Sequence, residues 1–88
     1  MPVHKKDPSD FLDYKHDWAE FLGEDTIVNS VWEGPAELTL DQPSFTATTA
    51  TIWIGGGEPE GVYEVVNRVT TAGGRVAERS KTIAVMNL

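Results

Sequence analysis

The side chains that could do chemistry are few. His4 and His16 are the only imidazoles, cysteine is absent, and no serine sits in a recognisable nucleophile setting. The chain therefore offers no thiolate nucleophile, no disulfide framework and no Cys-ligated zinc. His16 falls in the alternating stretch Leu12-Asp13-Tyr14-Lys15-His16, which suits half-buried packing better than a catalytic base. Asp7, Asp10, Asp13, Asp17, Glu20, Glu24 and Asp25 supply the oxygen atoms that calcium takes as ligands. No D-x-D-x-D-G run accompanies them, and their spacing describes a solvated face. Gly55-Gly56-Gly57 and Gly73-Gly74 lead into no helix and carry no Walker lysine, so they read as tight turns. No catalytic residue, metal or cofactor is expected.

Residues suited to contact rather than catalysis are more plentiful. Core packing is the expectation for at least two of Trp18, Trp32 and Trp53, and a chain this small can expose another. An exposed one would mark a protein contact, or a platform for carbohydrate. The polar stretch Lys5, Lys6, Asp7 and Pro8 lies in an opening segment without periodicity, expected to be an arm over residues 1–8 that orders on a neighbour. Gly73, Gly74, Arg75 and Arg79, with Lys81, place positive charge at the tip and flank of an expected hairpin.

Size and charge bound what such residues can serve. The chain has 88 residues and a formal net charge of −7, so a role that fits a single small module is expected. An apolar fraction of 40% argues for a folded globular domain. The acidic balance disfavours a nucleic-acid partner, which needs a basic surface. Residues 1–44 hold ten acidic and three basic residues, whereas residues 45–88 hold four of each, so the surplus lies in the first half. No apolar run approaches the roughly 20 residues that span a bilayer, so no membrane role is expected. Met1-Pro2-Val3-His4-Lys5-Lys6 lacks a signal peptide's apolar stretch, and a protein folded in the cytoplasm where it is made is the expectation.

The elements that must position these residues are mostly strands. Residues 11–22 read in two ways: a helix with Pro8 in its first turn and Gly23 at its end, or a strand through His16 followed by one or two helical turns capped by Asp17. Thr26–Glu33 is rich in β-branched residues and ends at Gly34-Pro35. Ala36–Leu40 alternates and is closed by Asp41-Gln42-Pro43, and Thr46–Ile54 alternates up to the triple glycine. Val62–Thr71 and Arg75–Met86, joined by Ala72-Gly73-Gly74, predict a long hairpin. Pairing Thr71 with Arg75 sets Val69 opposite Ala77 and Arg68 opposite Glu78. It also puts Arg79 and Lys81 on the face of Ile83 and Val85, which requires either a bulge or a hairpin that projects beyond the core. Tyr63 follows Gly61 at the start of the penultimate strand, where Ig-like domains return a tyrosine hydroxyl to the backbone at a corner. Six or seven strands at this spacing make an all-β fold, an Ig-like β-sandwich over residues 9–88 with a short helical turn near 17–22, or a small barrel.

The chain resembles a family of small proteins of tailed bacteriophages and prophages known as phage fiber-tail adaptor proteins. The residues that carry the likeness are Lys6-Asp7-Pro8, Leu12-Asp13-Tyr14, Asp17-Trp18 with Phe21-Leu22, Asp25-Thr26-Ile27, Trp53-Ile54 with Gly55-Gly56, Gly61 with Tyr63, and Thr70–Arg75 followed by Glu78-Arg79-Ser80. His16, where an apolar residue is expected, and the extra glycines Gly57 and Gly74 depart from the pattern. The resemblance implies an Ig-like virion component and favours the strand over residues 11–16. It implies a non-enzymatic adaptor docking fibres or appendages to tail or neck, partnered by other virion proteins in many symmetric copies. Capsid decoration is an alternative within the same class, and a carbohydrate- or cell-surface-binding module is an alternative outside it.

Overall fold

The computed structural model describes residues 3–88. The chain runs β1 (Val3–Lys6), β2 (Leu12–Asp17), α1 (Ala19–Leu22), β3 (Ile27–Glu33), β4 (Leu38–Phe45), β5 (Thr49–Gly56), β6 (Val62–Thr71) and β7 (Val76–Val85). The strands form a four-stranded sheet ordered β1-β7-β6-β3 and a three-stranded sheet ordered β2-β5-β4. Two separate sheets make a sandwich, not a closed barrel. Every pairing is antiparallel except that of β1, which lies parallel to the end of β7 with Val3 beside Thr82 and Lys6 beside Val85.

Period-two alternation decides what the layers bury. Ala50, Ile52 and Ile54 of β5 and Val65 and Val69 of β6 face inward and are almost wholly buried, as are Ile83 and Val85 of β7. They join Tyr14 and Leu38 around the middle of the sandwich, while Trp18, Leu22 and Ile27 close one end with Ala50 and Val69. Removing any of these side chains from water stabilises the fold by about 1.5–3 kcal/mol for a full aliphatic burial.

The strand reading of residues 11–16 holds, with the short helix after it. β2 pairs with β5 from Leu12 opposite Ile54 to Asp17 opposite Thr49. The Asp17 carboxylate accepts the Ala19 N–H at 2.9 Å and so supports the first turn of α1, although Trp18 occupies the cap position itself. The β6–β7 hairpin has the expected register, including Arg68 opposite Glu78, and those two side chains meet at 2.7 Å. No shift interrupts it, so no bulge relieves Arg79 and Lys81.

Three expectations change. Val3–Lys6 is not an arm but an edge strand, and Lys6 is fully buried, because two backbone carbonyls receive its ammonium group. The first two residues of the expected arm lie outside the described residues. Second, Asp41-Gln42-Pro43 does not close β4. The strand continues to Phe45 across a register shift between Asp41 and Ser44, with Gln42 at φ 51°. Proline is tolerated there because β4 is an edge strand and the site is a bulge. Third, β5 starts at Thr49 and runs through Gly56, since Thr46–Thr48 form the β4–β5 turn.

The corner before β6 is built on a tyrosine. Tyr63 folds back so that its hydroxyl accepts the Glu58 N–H at 2.9 Å. A Cβ on Gly61 would lie 2.5 Å from the Tyr63 hydroxyl and 2.7 Å from the ring carbon that bears it, so only glycine admits the ring. Tyr63→Phe should therefore cost about 1 kcal/mol in urea unfolding. Gly61→Ala should cost more in the native background than in a Tyr63→Ala background, where the obstructing ring is gone. Equal costs in the two backgrounds would show that the ring does not set the glycine requirement.

Candidate functional site

The hairpin tip is anchored to the rest of the molecule. Asp25, in the turn between α1 and β3, accepts the Gly73 N–H at 2.9 Å and the Arg75 Nε–H at 3.1 Å. Arg75 also donates to the carbonyls of Phe21 and Leu22 and lies 4.4 Å over the Phe21 ring. The charge at Arg75 is thus matched within the molecule. Gly74 stays open, with φ at 86° and nothing near its missing Cβ. The Thr71 hydroxyl, then the Gly73 and Thr26 N–H groups and Arg75, hold the Asp25 carboxyl at a pKa of about 2.

The polar residues assigned to an arm are also occupied within the fold. Lys6 Nζ donates to the Gly56 carbonyl at 2.6 Å and to the Asp7 carbonyl at 2.8 Å. Burial pushes its pKa down, against the pull of Asp10 and Asp7. Asp7 accepts from the Ser9 hydroxyl and N–H and from the Leu88 N–H, which brings its pKa to about 2. Lys5 is exposed and Pro8 half-buried.

The tryptophans separate into three environments. Trp18 is 1% exposed, so it is core rather than a contact, and its Nε1 donates to Asn67 Oδ1 at 2.9 Å. Asn67 in turn donates to the Ser30 hydroxyl and the Val31 carbonyl. This buried chain ties the β2–α1 segment to β6 and β3. Trp32 is half-buried against both core clusters. Its Nε1 and the Tyr14 hydroxyl lack partners among the described residues, each a local cost of about 1–3 kcal/mol. Trp53 alone faces outward, from the middle strand of the three-stranded sheet. Phe11 lies against it with ring centroids 5.3 Å apart and covers Gly55. Asp13 and Asp41 are its cross-strand neighbours on either side. Phe11 was not singled out by sequence reasoning; its place just before β2, opposite a glycine in β5, was the available signal.

Arg79, Lys81, His16 and His4 lie where the two sheets part, between β2 and β7. Arg79 lies 5.2 Å over Trp18, and His16 packs edge-on to Trp18 at 4.8 Å. His4 packs edge-on to Tyr14 at 5.6 Å. Burial lowers the pKa of His16, with Lys81 and Arg79 adding to the effect and Asp17 opposing it. Burial and then Lys81 lower that of His4. A recess of about 420 Å³ lies at this seam, lined by His16, Asp17, Trp18, Glu20, Phe21 and Arg79. It contains no nucleophile; Arg79 is its one cation, the Trp18 and Phe21 rings form its apolar wall, and Asp17 and Glu20 complete the lining.

A carboxyl held lower in the folded state than in the unfolded chain stabilises the fold above its ordinary pKa of 3.8, and that contribution is lost as pH falls towards about 2. Asp25→Asn should therefore lower the urea midpoint at neutral pH, and the gap to the native chain should close between about pH 4 and pH 2. A gap that stays constant across this range would mean that Asp25 acts through packing and not through its charge.

Comparison with known proteins agrees with this geometry. Across 99% of this chain and 82% of the other, the fold is similar to the solution structure of the PKD domain from KIAA 1837 protein, with a TM-score of 0.61 and 19% identity. That likeness establishes an Ig-like sandwich and nothing about partners. No match is found among curated proteins. Residues 6–84 match the family described as Podophage GP4 fiber-tail adaptor protein gp77, a span from buried Lys6 to Ala84 at the end of β7. The match takes in all of the sandwich except the start of its first strand and the end of its last, and this chain belongs to the podophage GP4 fiber-tail adaptor protein gp77 family.

Proposed function

We propose that the protein is a non-enzymatic structural part of a tailed-phage particle, an adaptor that docks fibres or other appendages to the tail or neck. The family match over residues 6–84 is the observation that carries this reading. It acts by rigid docking, in many copies within a symmetric assembly. The structure supports rigidity at both ends: Lys6 and Asp7 lock one, and Asp25 and Arg75 lock the other. Docking therefore relies on preformed faces more than on an arm that orders late, which limits the entropy lost on assembly.

One such face is the Phe11–Trp53 pair. An aromatic surface between the carboxylates Asp13 and Asp41 fits a lysine or arginine side chain of a neighbouring virion protein, by cation–π contact and charge. The same pair favours a second reading, a carbohydrate-binding module, because an outward aromatic with flanking carboxylates also fits a sugar ring.

Particles assembled without this protein should keep their tails and lose their fibres, as seen by electron microscopy. Particles supplied with Trp53→Ala should retain fibres at a level reduced about tenfold or more if the pair is a dominant contact. Fibres attached normally in its absence, or the protein found only on the capsid shell, would overturn the adaptor reading in favour of none or of decoration. Quenching of tryptophan fluorescence by sugars that disappears in Trp53→Phe would establish the carbohydrate reading instead.

A further inference from the structure

The two outer edges at one side of the sandwich are guarded. The β3 edge is broken by a register shift between Ile27 and Asn29, and the β4 edge by its own shift and by Pro43. Bulges and prolines of this kind prevent another chain from adding to a sheet. β7 differs. Its ten residues pair with β6 without a shift, and β1 covers it only from Thr82 to Val85. From Val76 to Lys81 it has a strand on one side and none on the other among the described residues.

The direction of the backbone groups follows from the ladder. Thr71 donates to the Arg75 carbonyl and Val85 donates to the Gly61 carbonyl, so odd-numbered residues of β7 bond towards β6. Met86 donates to the Lys6 carbonyl, so even-numbered residues face the side of β1. The main-chain groups of Val76, Glu78 and Ser80 therefore point outward. The Glu78 carbonyl is already met by Arg79 Nη1 at 2.7 Å, and the Glu78 and Ser80 N–H groups have no strand to receive them among the described residues.

Side chains at this edge favour one kind of newcomer. Arg79 and Lys81 point inward from an edge strand, beside His16 and His4, and neither makes an ion pair among the described residues. Inward charges on an edge repel an apolar or basic strand, which would have to bury them unpaired. They accept a strand whose inward side chains are carboxylates. The guard is thus a selector by charge.

We infer that the open edge of β7, from Val76 to Lys81, is a β-augmentation site for an extended acidic segment of a neighbouring virion protein. The segment continues the line of β1, takes hydrogen bonds from the Glu78 and Ser80 N–H groups, and sets a carboxylate against Arg79 and Lys81. The recess beside Trp18 and Phe21 has room for one large side chain of the same strand. This deepens the adaptor reading and rests on it for the partner being a virion protein.

The probes are two capped ten-residue peptides, one alternating valine with glutamate and one alternating valine with lysine. In amide hydrogen exchange the glutamate peptide should protect the Glu78 and Ser80 N–H groups, and the lysine peptide should leave them unchanged. Ser80→Pro removes a donor that β6 does not use, so it should fold normally and abolish this protection. Arg79→Glu with Lys81→Glu should weaken binding of the glutamate peptide about tenfold or more and admit the lysine peptide. Equal binding of both peptides, binding of neither, or protection that survives in Ser80→Pro would overturn the inference. Concentration-dependent dimerisation lost in Ser80→Pro would replace the acidic partner with a second copy. Normal incorporation of Ser80→Pro into particles would sink the edge site and leave the adaptor reading intact, whereas absence of the native protein from particles would remove both.

Discussion

A lysine with no surface in contact with water must have its ammonium hydrogens bonded, and Lys6 meets this demand on the carbonyls of Gly56 and Asp7. Gly56 belongs to the other sheet, so the bond closes the sandwich at that end. It also fixes β1. With Lys6 held under β5 and beside Val85, the strand lies parallel to β7, with His4 turned inward onto Tyr14. Among the described residues β1 then covers β7 from Thr82 to Val85. The buried cation thus pins the β1–β7 register at its Val85 end.

The opposite end solves the same problem with different groups. Trp18 brings an indole N–H into the core, and Asn67 takes it while spending its own amide hydrogens on Ser30 and Val31. Asp25 collects donors from the hairpin tip and from its own turn, so the longest hairpin in the molecule is bound to the helix that follows β2. Once these demands are met, most of the polar groups that suggested function are consumed by architecture. The groups left over are the outward aromatic pair Phe11–Trp53 and the cations of the seam.

This division explains what the sequence could reveal. The β6–β7 register was legible because a short glycine loop and an opposite-charge pair, Arg68 with Glu78, allow a single alignment. The tyrosine corner was legible because Gly61 and Tyr63 are two residues apart and the contact is local. The fate of Lys6 was not. Its partner Gly56 lies fifty residues away, and a lysine in a polar stretch looks solvated until the carbonyl opposite it is known. Arg75 misled for the same reason, since its partner Asp25 is equally distant along the chain. The bulge at Asp41–Ser44 was hidden because proline ordinarily ends a strand, and only the edge position of β4 permits it to continue.

Folding also redistributes the charge. Along the chain the acidic surplus lies in the first half, yet both sheets draw strands from both halves. The strands of the four-stranded sheet carry a net +2 and those of the three-stranded sheet a net −2, and the connections and helix hold the remaining −7. Three of those connecting acids, Asp7, Asp10 and Asp25, are occupied with backbone donors, and the others form a broadly negative surround. The basic seam on β7 is therefore a local exception inside a negative field. Lys5 and Lys15 are the other exposed cations without an ion pair among the described residues, and neither lies on β7, so for an acidic segment charge bears on the site of contact more than on its strength. Segregated charge of this kind discriminates between orientations of a partner before any apolar surface is engaged.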